Sequence, residues 1–124
     1  MSSSYEELLQ QIANKALSNL EIALMAIAYW MIESPGMNDA HLTDILTRVG
    51  YSFNTTTHIF SDGTNELTIF DMLNQTVNSI YPLSNLGASD LRLIINKAYR
   101  KAYITAEQQT TLINNLTTAT ATEA

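Results

Sequence analysis

Residues 22–32 read Ile-Ala-Leu-Met-Ala-Ile-Ala-Tyr-Trp-Met-Ile, an unbroken apolar run that holds the only tryptophan of the chain. A helix on a protein surface needs polar residues on its outward side, and this run has none. The run is also too short to cross a bilayer, which takes about 20 apolar residues. The sequence therefore predicts a helix that is covered on every side, by the rest of the chain or by a partner.

The residues in front of the apolar run are polar and acidic, and Glu21 directly precedes it. A secretion signal carries basic residues at that place and a cleavage pattern after the run. We therefore expect a soluble, unprocessed chain in the cytoplasm or in a virion, with no membrane partner. The chain has no cysteine, which excludes disulfides, thiolate catalysis and cysteine metal sites.

Chain length limits the number of domains, and net charge limits the class of partner. The chain has 124 residues, enough for a single core without cross-links. Its net charge is −6, and a surface of that sign repels the phosphates of nucleic acid, so we expect protein partners instead. These features predict one domain over 1–116, followed by a Thr/Ala-rich tail over 117–124 whose low complexity is typical of disorder unless an assembly holds it.

Apolar residues recur at helical spacing from Leu9 to Met31, and no glycine or proline interrupts them. The pattern predicts one long N-terminal helix over 5–33, with Ser4 as its cap and Glu7 reaching back in a capping box. At 1.5 Å per residue, such a helix is roughly 43 Å long. We expect the other helices to surround it.

A second helix is predicted over 39–49, with Asn38 as its cap and Gly50 as a left-handed stop. The sequence then changes to alternating aromatic, β-branched and polar residues. A turn cluster over 61–65 divides this region into a strand over 51–59 and a short return strand that ends at residue 69. We therefore expect a β-hairpin near 51–69, inserted between helices.

Three more helices are predicted from apolar stripes and capping patterns. The third follows the pair Thr68 and Asp71 and ends at Tyr81. Ser89 caps the fourth, over 90–103, and Thr105 with Gln108 opens the last, over 106–116. The expected architecture is mainly α, a bundle of four to five helices around the long first one.

Four of the six basic residues fall on the fourth predicted helix, and together they cover about half of its circumference opposite the apolar stripe. They are Arg92, Lys97, Arg100 and Lys101. We predict that this strip contacts a partner protein. The alternative is a solvated helix face whose cations suit the negative end of the helix dipole.

Groups that carry chemistry are sparse. His41 and Asp44 lie one helical turn apart and are interpreted as a solvated local pair, because a metal site needs three or four converging ligands. Glu21, at the edge of the apolar run, is expected to pair with a cation such as Lys15 or Arg48. We find no nucleophile motif, phosphate-binding loop or calcium-binding loop, so we predict no enzyme, no catalytic residues, no metal and no cofactor.

The order helix, hairpin, helix resembles in outline that of small phage head-completion and connector proteins. With the missing catalytic chemistry, a Thr/Asn-rich surface poor in lysine and a hairpin that needs support, we expect a non-enzymatic structural subunit of a larger particle such as a virion, in contact with copies of itself or with other subunits. Two alternatives stay open. One is a small acidic inhibitor that binds and blocks another protein, and the other is a ligand-binding bundle with a pocket beside Trp30 and Tyr29.

Overall fold

The computed structural model describes residues 3–15, 17–78 and 88–123 of the chain. Within them the prediction of a mainly helical chain is confirmed, and a small antiparallel sheet of three strands stands where a hairpin was predicted. The chain divides into two compact units, Met1–Glu66 and Leu67–Ala124. The elements in chain order are α1 Ser4–Asn14, α2 Asn19–Met31, α3 Asp39–Val49, β1 Ser52–Phe53, β2 Phe60–Ser61, β3 Glu66–Leu67, α4 Ile69–Asn78, α5 Ala88–Arg100 and α6 Ala106–Glu123.

The predicted long N-terminal helix is wrong, because the chain breaks between α1 and α2. Lys15 ends α1 in the left-handed conformation, at φ 54°, and its N–H is donated to the carbonyls of Gln11 and Ile12. Ser18 then caps α2: its Oγ accepts from the Glu21 N–H at 3.1 Å, and the Glu21 carboxylate accepts from the Ser18 N–H at 3.1 Å. This reciprocal pair satisfies two free donors of a new helix, so a start at Asn19 is favoured over continuation.

The first cap also lies one residue earlier than predicted. Ser3, and not Ser4, accepts from the third amide of α1, that of Glu6, at 3.2 Å. Ser4 is buried instead, and its hydroxyl is hydrogen-bonded to that of Ser34. A buried hydroxyl with a partner of this kind ties the start of α1 to the segment that follows α2.

The apolar run forms most of α2, and its predicted burial is confirmed except at Tyr29, Trp30 and Ile32, which are half-buried. Seven consecutive residues, 22–28, are buried, and so is Met31. Seven residues at about 100° each point in every direction around a helix, so α2 has no outward side in this stretch. Within Met1–Glu66, α1 and α3 both pack against α2. Asn38 caps α3 and Gly50 ends it at φ 87°, as predicted.

The predicted hairpin is a sheet of three two-residue strands, in the order β1-β2-β3. The first predicted strand does not run through 51–59, because Asn54 starts a turn inside it. The Asn54 Oδ1 accepts from the N–H groups of Thr56 and Thr57 at 2.8 and 2.9 Å. The turn returns the chain so that Phe53 pairs with Phe60. The turn predicted over 61–65 is found over 62–65, since Ser61 belongs to β2, and Asp62 accepts from two backbone amides there.

The second unit places α6 against both α4 and α5. The capping boxes predicted at Thr68 with Asp71 and at Thr105 with Gln108 are confirmed, each with two reciprocal bonds of 3.0–3.1 Å. The predicted end of the third helix at Tyr81 lies outside the described residues. Helix α5 begins at Ala88, one residue before its predicted cap Ser89.

Helix α6 is longer than the predicted 106–116, because it continues to Glu123 through seven residues of the predicted tail. The helix accommodates the threonines of this extension. The hydroxyls of Thr117 and Thr118 are donated to the carbonyls four residues earlier, at 2.9 and 3.0 Å. A hydroxyl that bonds back along the helix no longer competes for the backbone of a turn, so a Thr-rich segment is compatible with helix here.

We predict that Ser18→Ala lowers the free energy of unfolding by about 1 kcal/mol, since it removes the acceptor for the Glu21 amide and breaks the capping box. The control is Asn19→Ala, the next residue, which is exposed and has no side-chain hydrogen bond in the structure. Urea denaturation of both variants measures the difference. Equal midpoints for Ser18→Ala and Asn19→Ala would contradict the break between α1 and α2.

Candidate interaction surface

Helix α5 separates its apolar and basic residues cleanly. Leu91, Ile94, Ile95 and Ala98 are buried and form one stripe along the helix. Arg92 and Arg100 are exposed on the opposite side. Of the other two predicted contact residues, Lys97 is half-buried, and Lys101 is half-buried just beyond the last helical residue. The structure therefore leaves two arginines most accessible to a partner.

Two large apolar side chains lie exposed among these cations. Leu93 keeps 50% of its surface and Tyr99 keeps 41%. Tyr99 is turned toward solvent and away from the buried apolar stripe. At 100° per residue, Tyr99 lies about 20° from Arg92, and Leu93 about 20° from Arg100. Arg92, Leu93, Tyr99 and Arg100 thus form one continuous surface, which we name the α5 face.

Hydrogen bonds hold the α5 face in place at its end. The Ala102 N–H is donated to the Tyr99 carbonyl and the Tyr103 N–H to the Ala98 carbonyl, both at 2.9 Å, with Ala102 left-handed at φ 62°. This pair of bonds is the Schellman ending of a helix. One helical turn earlier, the Asn96 Oδ1 accepts from Gln109 of α6 at 2.9 Å. The side chains of the α5 face therefore project from a backbone that is fixed at its C-terminal half.

The cations of the α5 face have no acidic partner in the part of the chain that the structure describes. Arg48 does form an ion pair, with Asp44 of the same helix α3. Neither Arg92 nor Arg100 has a side-chain hydrogen bond or an ion pair among these residues. Both charges are therefore available for contact with a carboxylate from outside.

Charge is divided unequally between the two units. Eight acidic and two basic residues lie in Met1–Glu66, so that unit carries the whole net charge of −6. Leu67–Ala124 has four residues of each sign and no net charge, and all four of its cations belong to α5 or to the residue after it. The acidic excess thus belongs to the first unit, and the basic residues of the second unit are concentrated at α5.

A cluster of titratable side chains in the first unit joins α1 to α3. The Tyr5 hydroxyl is donated to an Asp44 carboxylate oxygen, which also accepts from the Arg48 Nε at 3.1 Å. The rings of His41 and Tyr5 are tilted by 40° with centroids 4.5 Å apart, and the His41 Nδ1 is buried with no hydrogen-bond partner among the described residues. The predicted solvated pair of His41 and Asp44 is therefore incomplete, since Tyr5 makes the main contact with each.

The electrostatics of this cluster favour a structural tie. The hydrogen bond to Asp44 is the largest cause that raises the pKa of Tyr5, and the same bond is the largest cause that lowers the pKa of Asp44, followed by the bond from Arg48. A general base needs a pKa near the working pH. The pKa of Tyr5 is raised and the pKa of Asp44 is lowered, so both pKa values move away from neutral pH. Proton transfer by either group at neutral pH is therefore disfavoured.

Glu21 does not pair with a cation as expected. Its carboxylate accepts from the Ser18 N–H in the capping box, and Arg48 is bonded to Asp44. The helix start uses this side chain because an acidic residue three positions after a serine cap satisfies a free backbone donor and suits the positive end of the dipole.

The aromatic residues around Trp30 pack on one another. The Trp30 Nε1–H is donated to Asp39 at 2.7 Å, and the indole lies 5.3 Å from the ring of Phe53 and 6.2 Å from that of His58. Phe53 also lines an open depression of about 580 Å³. Residues of β1, β2 and β3 line this depression, and neither Trp30 nor Tyr29 does, so it is not the pocket expected beside them.

No protein-family model matches the chain, and comparisons with curated proteins and with solved structures find no match. Among the described residues, no helix has both the length and the apolar content to cross a membrane. In the same residues, no three His, Asp or Glu side chains converge so as to hold a metal ion.

Sequence reasoning placed the cations on α5 but missed the apolar part of the α5 face and the role of Tyr5. The exposure of Leu93 depends on which sector of α5 its neighbours cover, and a helical wheel gives only directions. Tyr5 and Asp44 are 39 residues apart in the chain. A local signal existed only for Glu21, whose spacing from Ser18 fits a capping box.

We predict that Tyr5→Phe destabilises the chain more at pH 7 than at pH 3. The pKa of Asp44 is lowered by folding, so its contacts stabilise the folded chain above the unfolded-state pKa of about 4, and this stabilisation is lost as the pH falls through the folded-state value. Removing the Tyr5 hydroxyl removes the largest cause of the shift. Denaturation midpoints measured between pH 3 and pH 7 should therefore converge with those of the wild type at low pH.

The control for this prediction is Tyr51→Phe, in the same unit. Tyr51 stacks on Phe60 with centroids 5.1 Å apart, and its hydroxyl has no hydrogen bond in the structure. The loss of stability caused by Tyr51→Phe should not change between pH 3 and pH 7. A Tyr5→Phe deficit that is the same at pH 3 and pH 7 would show that the hydroxyl does not act through the Asp44 carboxylate.

Proposed function

We propose that this chain is a non-enzymatic assembly protein that docks an acidic protein surface on its α5 face. The observation that carries the proposal is the exposure of Leu93 and Tyr99 between two arginines that no carboxylate of the described residues neutralises. The setting that fits best is a subunit of a larger particle, such as a neck or connector component of a phage virion.

The composition of the α5 face supports docking over simple solvation. Arginine and tyrosine are enriched among the residues that dominate the affinity of protein interfaces. Leu93 supplies apolar area beside Arg100, and burying it against a partner is favourable because that area leaves water. The flanking arginines would select an acidic partner and speed its approach.

The acidic excess of Met1–Glu66 favours a second candidate, a small acidic protein that binds and blocks a basic partner. The two candidates differ in the native complex. An assembly subunit forms a multimer or joins a particle, whereas a blocking protein is a monomer that occupies one unrelated protein. The mass of the complex isolated from the native source separates them.

We predict that Leu93→Ala weakens association by about 1 kcal/mol, which is about fivefold in Kd, while the free energy of unfolding stays within about 0.5 kcal/mol of wild type. The side chain is half-exposed in the chain itself, so little core packing is lost. Sedimentation velocity over a range of concentrations measures association. The control is Leu20→Ala, since Leu20 is the exposed leucine of α2 and keeps 40% of its surface. Equal weakening by both variants would contradict docking through α5.

We also predict that Arg100→Glu weakens association more at about 0.01 M than at about 1 M salt, because screening lengths are about 30 Å and about 3 Å there. Lys15→Glu is the matched control, because it reverses an exposed cation of the first unit and shifts the net charge by the same amount. The contact is electrostatic only if the two variants differ at low salt. If both act alike, total charge and not the α5 face governs association.

A further inference from the structure

The open depression beside the sheet has the chemistry to receive a cationic and apolar surface. Its apolar part comes from the half-buried side chains of Phe53 and Ile59, and its rim carries the exposed carboxylate of Glu66. Its volume of about 580 Å³ is that of a site for a small molecule or for a few protruding side chains. The ring of Phe53 and a carboxylate both attract a guanidinium group.

The polar groups around the depression leave Glu66 as its free charge. Asn54 accepts two backbone N–H groups through Oδ1, and Ser61 accepts from the Gly63 N–H at 3.1 Å, so both are engaged in turns. The Glu66 carboxylate has no hydrogen bond or ion pair among the described residues. A cation from another molecule would therefore contact a Glu66 carboxylate that no cation of the described residues neutralises.

A second acidic group lies in the turn that precedes Glu66. The Asp62 carboxylate accepts from the N–H groups of Asn65 and Thr64, at 2.7 and 2.9 Å. These bonds, that from Asn65 first, lower the pKa of Asp62 and so favour its ionised form. The end of the sheet next to the depression thus carries two negative charges.

We infer that this depression is the acceptor for the α5 face of a second copy of the chain. The inference rests on the proposed function and names its partner. Complementary charge supports this occupant: the first unit holds eight of the twelve acidic residues, and α5 with the residue after it holds four of the six basic ones. Arg100 would bond to Glu66, while Leu93 and Tyr99 cover Phe53 and Ile59.

The proposed contact joins two different surfaces, so it is heterologous. A contact of this kind repeats from copy to copy, and it closes into a ring or continues as a filament. Each copy acts as a donor through its α5 face and as an acceptor through its depression. This division makes the two roles separable by mutation.

The test uses one variant that is defective in each role. Arg100→Glu removes the donor, and Glu66→Arg removes the acceptor. By sedimentation velocity at low salt, each variant alone should associate at least about tenfold more weakly than wild type. An equimolar mixture should restore association, because the α5 face of Glu66→Arg meets the unchanged depression of Arg100→Glu, and the two remaining surfaces form the same ion pair with its charges exchanged. The mixture should therefore assemble with the two variants in alternation, although neither variant associates strongly alone.

Two further variants guard against loss of fold and against a general effect of charge. Glu66→Gln keeps the shape of the side chain and should also weaken association. Glu7→Arg reverses an exposed carboxylate of the first turn of α1, away from the depression, and should leave association within about twofold of wild type. Circular dichroism and denaturation midpoints establish that each variant is folded.

The outcomes separate this inference from the proposed function. If Arg100→Glu weakens association while Glu66→Arg associates like wild type, the α5 face docks elsewhere and the acceptor is overturned, but docking stands. If both variants are weak and their mixture stays monomeric, the head-to-tail pairing is overturned. A wild type that remains monomeric at high concentration and binds an unrelated acidic protein overturns the second copy as the partner.

Discussion

The apolar circumference of α2 is the constraint on which the first unit depends. Residues 22–28 are buried in every direction around the helix axis, so the helix needs cover on several sides. In a straight helix over 5–33, the first half would point away from the second half and could not pack against it. Other segments would then have to cover that side of the apolar run. The break between Lys15 and Ser18 lets α1 fold back and pack against α2. Helix α2 is thus covered by α1, which precedes it in the chain, and by α3, which follows it. Burial of one segment thus requires the interruption that precedes it.

The parts of the fold that could be predicted are those encoded within a few residues. Asn38, Gly50 and the boxes at Thr68 and Thr105 act through bonds that span three or four positions, so their patterns are visible in the sequence. The box at Ser18 has the same pattern, but helical apolar spacing continues across it and the interruption was missed. Periodicity records which side of the chain is apolar, and it is insensitive to a four-residue break that keeps the phase.

The sheet and the α5 face contain the features that could not be predicted from the sequence. The turn at Asn54 was hidden because the residues around it, three threonines and a phenylalanine, favour strands. The side-chain amide outweighs that preference by accepting two backbone amides at once. For α5 the direction of each residue was predictable from the spacing, but the exposure of Leu93 and Tyr99 was not, because burial depends on neighbours distant in the chain.

A solvated helix face is the simplest alternative for α5, and it accounts for only part of what α5 carries. Cations suit the negative C-terminal end of a helix, which explains Lys97 and Arg100 in the last turn. Arg92 is the fifth residue of the helix, nearer the end where the dipole favours acids, and the dipole does not explain it. Nor does solvation explain a leucine with half of its surface in water between two arginines. Acidic residues outnumber basic ones two to one in this chain, yet these arginines have no acidic partner among the described residues. An acidic surface supplied by another molecule accounts for the two arginines and the leucine together.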